Sequence, residues 1–241
     1  WEIFNKPSKG STNGCSHFAM RALNKKSGKI LDARVLNGDL YGNYIGRTDE
    51  PFAGDGPENK SMAGFPHFKN CEFEGNFPFA DIAFSDPHFP AQVKLTAFNP
   101  FIPLNDADSS IPAAFFEIEI HNTTDSELEY GVCFSVANPA ENSVNKPLES
   151  GKGVLLAGGG ELCFATDCEN TAVQLYRYRG GWSDALETFW REMTERPALP
   201  PRNYDTRGKF DTAAVEARIF VKPGESKTVR FVMSWYYPVT G

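Results

Sequence analysis

Two glutamates, Glu117 and Glu119, come nearest to a pair of groups that could carry out acid–base chemistry. Apolar Phe116, Ile118 and Ile120 alternate with them, and this period of two places both carboxylates on one face of a strand, roughly 7 Å apart. Glycoside hydrolysis uses two carboxyl groups flanking the scissile bond, so the spacing makes the pair a superficial candidate. Charged residues opposite an apolar stripe are nevertheless usual for a sheet with one solvated face, and we interpret both glutamates in that way.

A second acidic group, Asp106 and Asp108, lies in the segment LNDADSS between two predicted strands, next to Ser109. Asp and Ser side chains in such loops form hydrogen bonds with nearby backbone groups and fix the turn. We expect that local role here. The alternative is contact with a ligand or with another domain, because loops often carry such contacts.

Metal, thiol and cofactor chemistry have little support in the sequence. Cys163 and Cys168 have four residues between them and Cys15 lies two before His17, but a structural zinc site needs four ligands. Five cysteines in all suggest no disulfide framework. The short signatures of esterases, NTPases, zinc proteases and dinucleotide enzymes are absent. We therefore predict neither a metal site nor a cofactor.

Composition excludes several classes of protein. The chain has 241 residues, of which 41% are hydrophobic and 13% aromatic, as in a folded protein. With 24 basic and 31 acidic residues its formal net charge is −7, which argues against nucleic acid or an anionic membrane as a partner. The longest apolar runs, such as 111–116, are far shorter than the roughly 20 residues of a transmembrane helix.

Alternation of apolar and polar residues predicts that strands position these groups. The clearest strands are 113–121, 128–136 and 93–97, and a loop of about five residues predicts that the first two form a hairpin. We further expect an early hairpin from 16–23 and 29–36, then a long irregular loop over 42–66. The other expected strands are 71–75, 79–84, 153–157, 161–166, 172–178 and 215–221, a polar connection covers 138–153, and the last inward face is Val229, Phe231, Met233 and Trp235.

One segment, 183–193, has helical rather than strand periodicity. Trp182, Leu186, Phe189, Trp190 and Met193 recur at helical spacing, and the preceding Ser183 is a plausible N-cap. We predict a single all-β domain over 1–241. Its expected fold is a two-sheet antiparallel β-sandwich, supersandwich-like, crossed by this one short amphipathic helix.

Several stretches also resemble a known family. The run FPFADIAFSDPHFPAQVKLTAFNPFIPLNDADSS followed by PAAFFEIEIHNTTD is similar to the N-terminal domain of glycoside hydrolase family 116, which comprises bacterial β-glucosidases and the non-lysosomal glucosylceramidase. WEIFNKPSKG, WSDALETFWREM and VKPGESKTVRFVMSWYYP extend the resemblance over nearly the whole chain. It implies a β-sandwich that precedes a catalytic barrel of helix pairs, and both catalytic carboxylates belong to that barrel.

Two functions remain open at this point. The first is a non-catalytic domain that packs on the barrel, shapes its cleft and so meets a glycoside or glucolipid substrate; the chain, which starts on Trp1 without an initiator Met, would then be an excised or processed piece. The second is a free-standing carbohydrate-binding or adhesion module. The sequence leaves the compartment and the oligomeric state open. The candidate interface or cleft-lining residues are Trp1, Phe4, Asn5, Phe98, Phe101, Asp106, Asp108 and Ser109.

Overall fold

The computed structural model of the chain describes residues 16–38, 62, 64–180, 184–209 and 211–237. In chain order the elements are β1 (His17–Asn24), β2 (Lys29–Val35), β3 (Asn70–Asn76), β4 (Phe79–Ser85), β5 (Ala91–Phe98), α1 (Asp106–Ser109), β6 (Ala113–Asn122), β7 (Leu128–Ala137), β8 (Val144–Pro147), β9 (Gly153–Ala157), β10 (Glu161–Thr166), β11 (Thr171–Gln174), α2 (Asp184–Glu195), β12 (Thr212–Val221) and β13 (Ser226–Tyr236). None of these helices is long and apolar enough to cross a membrane.

The strands form two antiparallel sheets. The smaller sheet has five strands in the order β11-β12-β7-β1-β2, and the larger has eight in the order β3-β4-β5-β6-β13-β10-β9-β8. The predicted all-β sandwich is therefore confirmed, and so is the early hairpin of β1 and β2. The hydrophobic core lies between the sheets, where the rings of Phe18 and Phe134 stack at 4.2 Å and Phe116 packs edge-on to Phe18.

The predicted hairpin of strands 113–121 and 128–136 is wrong. Both strands exist as β6 and β7, but β6 pairs with β5 and β13 in the larger sheet, whereas β7 pairs with β1 and β12 in the smaller one. The five-residue loop thus crosses from one sheet to the other. Alternation along a strand identifies its buried face but not its neighbour, so the sequence pattern was compatible with both arrangements.

Helix α2 covers the outer face of the smaller sheet. Leu186, Phe189 and Met193 pack there against a second buried cluster that includes Cys133 and Ala214. Strand β7 is consequently buried on both faces rather than half-buried, because its core-facing residues meet the larger sheet and the others lie under the helix. This is the only long helix among the described residues, as predicted; Trp182 and Ser183, including the predicted N-cap, lie outside them.

Three smaller expectations also need correction. The polar connection 138–153 contains the edge strand β8, and the strand expected at 172–178 ends at Gln174. Trp235 continues the inward face of β13 but is 37% exposed, since it lies at the end of the sheet, beyond the core. Most of the predicted loop 42–66 lies outside the described residues.

Candidate functional site

Exposed aromatic and aliphatic side chains gather at one end of the larger sheet. Phe77 is 81% exposed and Phe101 is 49% exposed, and their rings contact each other with centroids 5.0 Å apart. Ile102, Leu104, Ile111 and Tyr236 are exposed at the same end. We call the following set the apolar end: Phe77, Phe79, Phe98, Phe101, Ile102, Leu104, Ile111, Phe115, Trp235 and Tyr236.

A row of aromatic rings extends the apolar end over the outer face of the sheet. Phe79 lies directly opposite Phe98, and Phe98 lies opposite Phe115, with centroid distances of 5.3 Å and 5.3 Å. Val232 continues the row onto β13. Cross-strand neighbours of this kind stabilise a sheet. Their outer surfaces, however, are only half-buried by the described residues, so the row remains available for contacts.

The loop 99–112 is held rigidly by side-chain hydrogen bonds. Ser109 Oγ accepts from the Ile102 backbone N at 2.9 Å and donates to the Ile102 O at 3.0 Å. The Asn105 side chain caps the four-residue helix α1 by accepting from the Asp108 N at 3.1 Å, and its amide donates to the Asp108 carboxylate at 2.6 Å. Asn99 anchors the loop to β6 through the Ala113 O, 2.6 Å away.

The predicted local role of the LNDADSS segment thus falls mainly to Asn105 and Ser109. Asp108 takes part as an acceptor, whereas the exposed Asp106 forms no hydrogen bond with a described residue. The segment is a short helical turn rather than an irregular loop. Both carboxylates lie on the surface beside the apolar end, where an interface role remains a prediction.

Strand β13 brings the chain out at the same end of the sandwich. The Trp235 N donates to the Pro112 O at 3.0 Å, which joins the last strand to the end of the 99–112 loop. Tyr237, the last described residue, lies against Gly160 in the turn between β9 and β10. The chain therefore leaves the described structure beside the apolar end.

Glu117 and Glu119 lie on the solvated outer face of the larger sheet, as interpreted from the sequence. Glu117 accepts from Arg230 Nε at 2.7 Å, and the guanidinium also lies 3.6 Å from Asp167, so this carboxylate belongs to a surface ion-pair cluster. Glu119 lies on the rim of a shallow polar hollow of about 260 Å³ that Lys94 and His121 also line. Among the described residues, no group of three potential ligands could hold a metal ion.

Of the predicted site residues, the structure brings together five: Phe98, Phe101, Asp106, Asp108 and Ser109. Trp1, Phe4 and Asn5 lie outside the described residues. Sequence reasoning missed Phe77, Phe79 and Phe115. A signal for Phe115 was present, because it is an apolar residue on the otherwise polar stripe of strand 113–121.

Three solved structures share part of the topology at low similarity. Heparan sulfate lyase HepC from Pedobacter heparinus is 10% identical with a TM-score of 0.38 over 71% of this chain and 22% of its own. A polysaccharide lyase is 12% identical, with a TM-score of 0.42 over 92% of this chain and 33% of its own. The GH36 α-galactosidase AgaB from Geobacillus stearothermophilus is 10% identical, with a TM-score of 0.34 over 87% of this chain and 37% of its own. The chain thus spans less than half the length of each protein.

No curated protein sequence matches the chain significantly. In contrast, a family model described as "beta-glucosidase 2, glycosyl-hydrolase family 116 N-term" matches residues 1–241, which is the whole sequence. This match confirms the resemblance drawn from the quoted motifs. The chain therefore belongs to the family of N-terminal domains of glycosyl hydrolase family 116.

Proposed function

We propose that the chain is the non-catalytic N-terminal β-sandwich domain of a β-glucosidase or glucosylceramidase-like hydrolase. It packs on a helical catalytic barrel of the same protein and forms part of the wall of its cleft. The observation that carries this proposal is the apolar end, where Phe77, Phe101 and Leu104 are exposed together. Contiguous exposed apolar surface is unusual on a monomeric soluble domain and marks an interaction site.

The path of the chain supports a partner within the same protein. Because β13 leaves the sandwich beside the apolar end, a catalytic region that follows this domain starts close to that surface. A short connection raises the effective concentration of two surfaces for each other, so a modest apolar contact is sufficient for docking. In the same proposal Phe98, Phe101, Asp106, Asp108 and Ser109 face the partner or its cleft, together with Trp1, Phe4 and Asn5.

The acidic residues of the sandwich support a non-catalytic role. A catalytic pair needs two carboxyl groups that face each other across a bound sugar, with one protonated and one free to attack or to activate water. Glu117 instead lies flat on an exposed sheet face in contact with Arg230. Hydrolysis of a glycoside or a glucolipid is therefore assigned to the partner region, and the sandwich supports and shapes its cleft.

Binding in trans tests this proposal. The chain and a separately expressed catalytic region of the same protein are mixed at high micromolar concentration and followed by titration calorimetry. We expect association, and we expect Phe101→Asp to weaken it at least about tenfold, since burial of half an aromatic ring contributes roughly that factor. Phe101 is half exposed, so the sandwich of this variant should remain folded.

Leu31→Asp provides the matched control. Leu31 is 45% exposed, close to the 49% of Phe101, but it lies on β2 of the other sheet. This variant should bind like the wild type. No association of the wild-type pieces, or equal weakening by both variants, would contradict the proposal and favour a free-standing carbohydrate-binding module instead.

A further inference from the structure

Leu104 adopts a backbone conformation that leucine normally avoids. Its φ is 64°, and it is the only non-glycine residue with positive φ in the described part of the chain. The left-handed region brings Cβ too close to the backbone carbonyl, so glycine and asparagine occupy it far more readily than leucine. Unfavourable conformations of this kind persist where the surrounding structure enforces them, and they cluster at functional sites.

The surrounding loop enforces this conformation. An isolated bridge pairs Ile102 with Asn105 on either side of Leu104, and the Asn105 N donates to the Ile102 O at 3.0 Å. Ser109 clamps Ile102 through both its N and its O, and Asn105 is in turn held by Asp108. The tip of the loop is thus a closed turn in which the position of Leu104 is determined before any partner arrives.

The described residues give nothing in return for this cost. The Leu104 side chain is 108% exposed, so it packs against none of them. An isolated exposed leucine is ordinary, but here a rigid turn presents a fully exposed leucine in an unfavourable conformation. Both features have one consequence: the side chain projects as a preorganised apolar knob, and preorganisation reduces the entropy lost on binding.

We propose that Leu104 is the docking knob of this domain and inserts into an apolar pocket on the catalytic region of the same protein. This inference rests on the function proposed above and names the contact that anchors it. The choice of partner follows from the chain path, since the Trp235 N bonds to the Pro112 O and the polypeptide therefore leaves beside the same loop.

The flanking residues define the chemistry of the pocket. Asp106 and Asp108 are both exposed within four residues of Leu104 and carry negative charge next to the knob. Interfaces typically surround a buried apolar centre with a polar rim. The receiving pocket should therefore be apolar at its floor and should present lysine, arginine or backbone N–H groups at its mouth.

Hydrogen–deuterium exchange of the full-length protein tests the knob. Leu104→Asn keeps a residue that tolerates positive φ but removes the apolar side chain, whereas Leu104→Met keeps an apolar side chain of similar volume. In Leu104→Asn, we expect the backbone amides of 99–112 to exchange at least about tenfold faster, because burial of one leucine side chain contributes that factor or more. Leu104→Met should retain most of the wild-type protection.

Exchange across β6 and β7 serves as the internal control and should be unchanged in both variants, which separates undocking from unfolding. Wild-type protection of 99–112 in Leu104→Asn would overturn the knob, even if Phe101→Asp in the same protein speeds exchange and the proposed function survives. Equal exchange of 99–112 in the full-length protein and in a protein whose catalytic region has been cleaved off would overturn both. Faster exchange confined to 99–112 in Leu104→Asn, with protection in Leu104→Met, would support the knob.

Discussion

Arg21 and Glu216 form an ion pair whose side chains are only 1% and 0% exposed. The pair links β1 to β12 on the outer face of the smaller sheet, beneath α2. The Arg21 guanidinium also donates to the carbonyl oxygens of Met193 at 3.2 Å and Pro197 at 2.8 Å, so it holds the C-terminal end of α2. Glu216 additionally accepts from the Leu199 N at 2.9 Å. The pair therefore joins the sheet, the helix and the segment that follows it.

Glu216→Ala should destabilise the protein strongly. The substitution leaves the Arg21 guanidinium buried without a counter-charge, which typically costs about 3–5 kcal/mol. Urea denaturation measures the free energy of unfolding. Glu117→Ala is the matched control: it removes the exposed partner of Arg230 and should cost no more than about 1 kcal/mol. Equal losses in the two variants would show that the Arg21 site is hydrated.

Gly131→Ala should be destabilising for the same reason. Gly131 lies opposite Arg21 on β7, and a Cβ atom there would collide with the Glu216 carboxylate and lie 3.1 Å from Arg21 Nε. Displacing a buried pair in a packed layer is expected to cost about 1–3 kcal/mol. Gly64→Ala is the control, because its Cβ would meet open space, and it should be nearly neutral in the same melt. A neutral Gly131→Ala would mean that the pair relaxes freely.

Helix α2 should be anchored by Phe189 more than by Trp190. Phe189 is 1% exposed, and the Arg177 guanidinium lies 4.0 Å above its ring, whereas Trp190 is only half-buried against Phe65. Phe189→Ala should cost about 3–5 kcal/mol. Trp190→Ala should cost clearly less in the same denaturation experiment. The reverse order would place the helix in a different rotation on the sheet.

The cysteines should differ in reactivity in the folded state. Cys133 is completely buried, and burial raises the pKa of its thiol far above the neutral range, so no reactive thiolate forms there. Cys71, on the edge strand β3, is exposed. Mass-mapped labelling with a thiol reagent at pH 8 should modify Cys71 and spare Cys133 until denaturant is added. Early modification of Cys133 would reveal opening of the layer between α2 and β7.

The chain alone should not hydrolyse glycosides. Incubation with an aryl β-glucoside should release no aglycone above the buffer rate, because no described pair of carboxylates is arranged across a cleft. Glu117→Gln should leave that zero rate unchanged. Reproducible turnover that this substitution abolishes would instead make Glu117 and Glu119 the catalytic pair.

The limits of sequence reasoning are visible in particular residues. Alternation along 113–121 correctly identified Phe116, Ile118 and Ile120 as core residues, because a strand with one solvated face must alternate. The same reasoning treated Glu216 as a solvated position on strand 215–221, and the structure buries it completely. A charged residue can be buried when a partner compensates it, and Arg21 lies 195 positions away in the sequence.

The sequence by itself determined the family, the all-β class, the positions of most strands and the one long helix. Local periodicity and short motifs carry that information, since each depends on neighbouring residues. Only the tertiary structure decided that β6 and β7 belong to different sheets, that α2 covers β7, and that Phe77, Phe101 and Leu104 meet at one end. These relationships join residues that are distant along the chain, and they arise from the packing of whole layers, which no local pattern encodes.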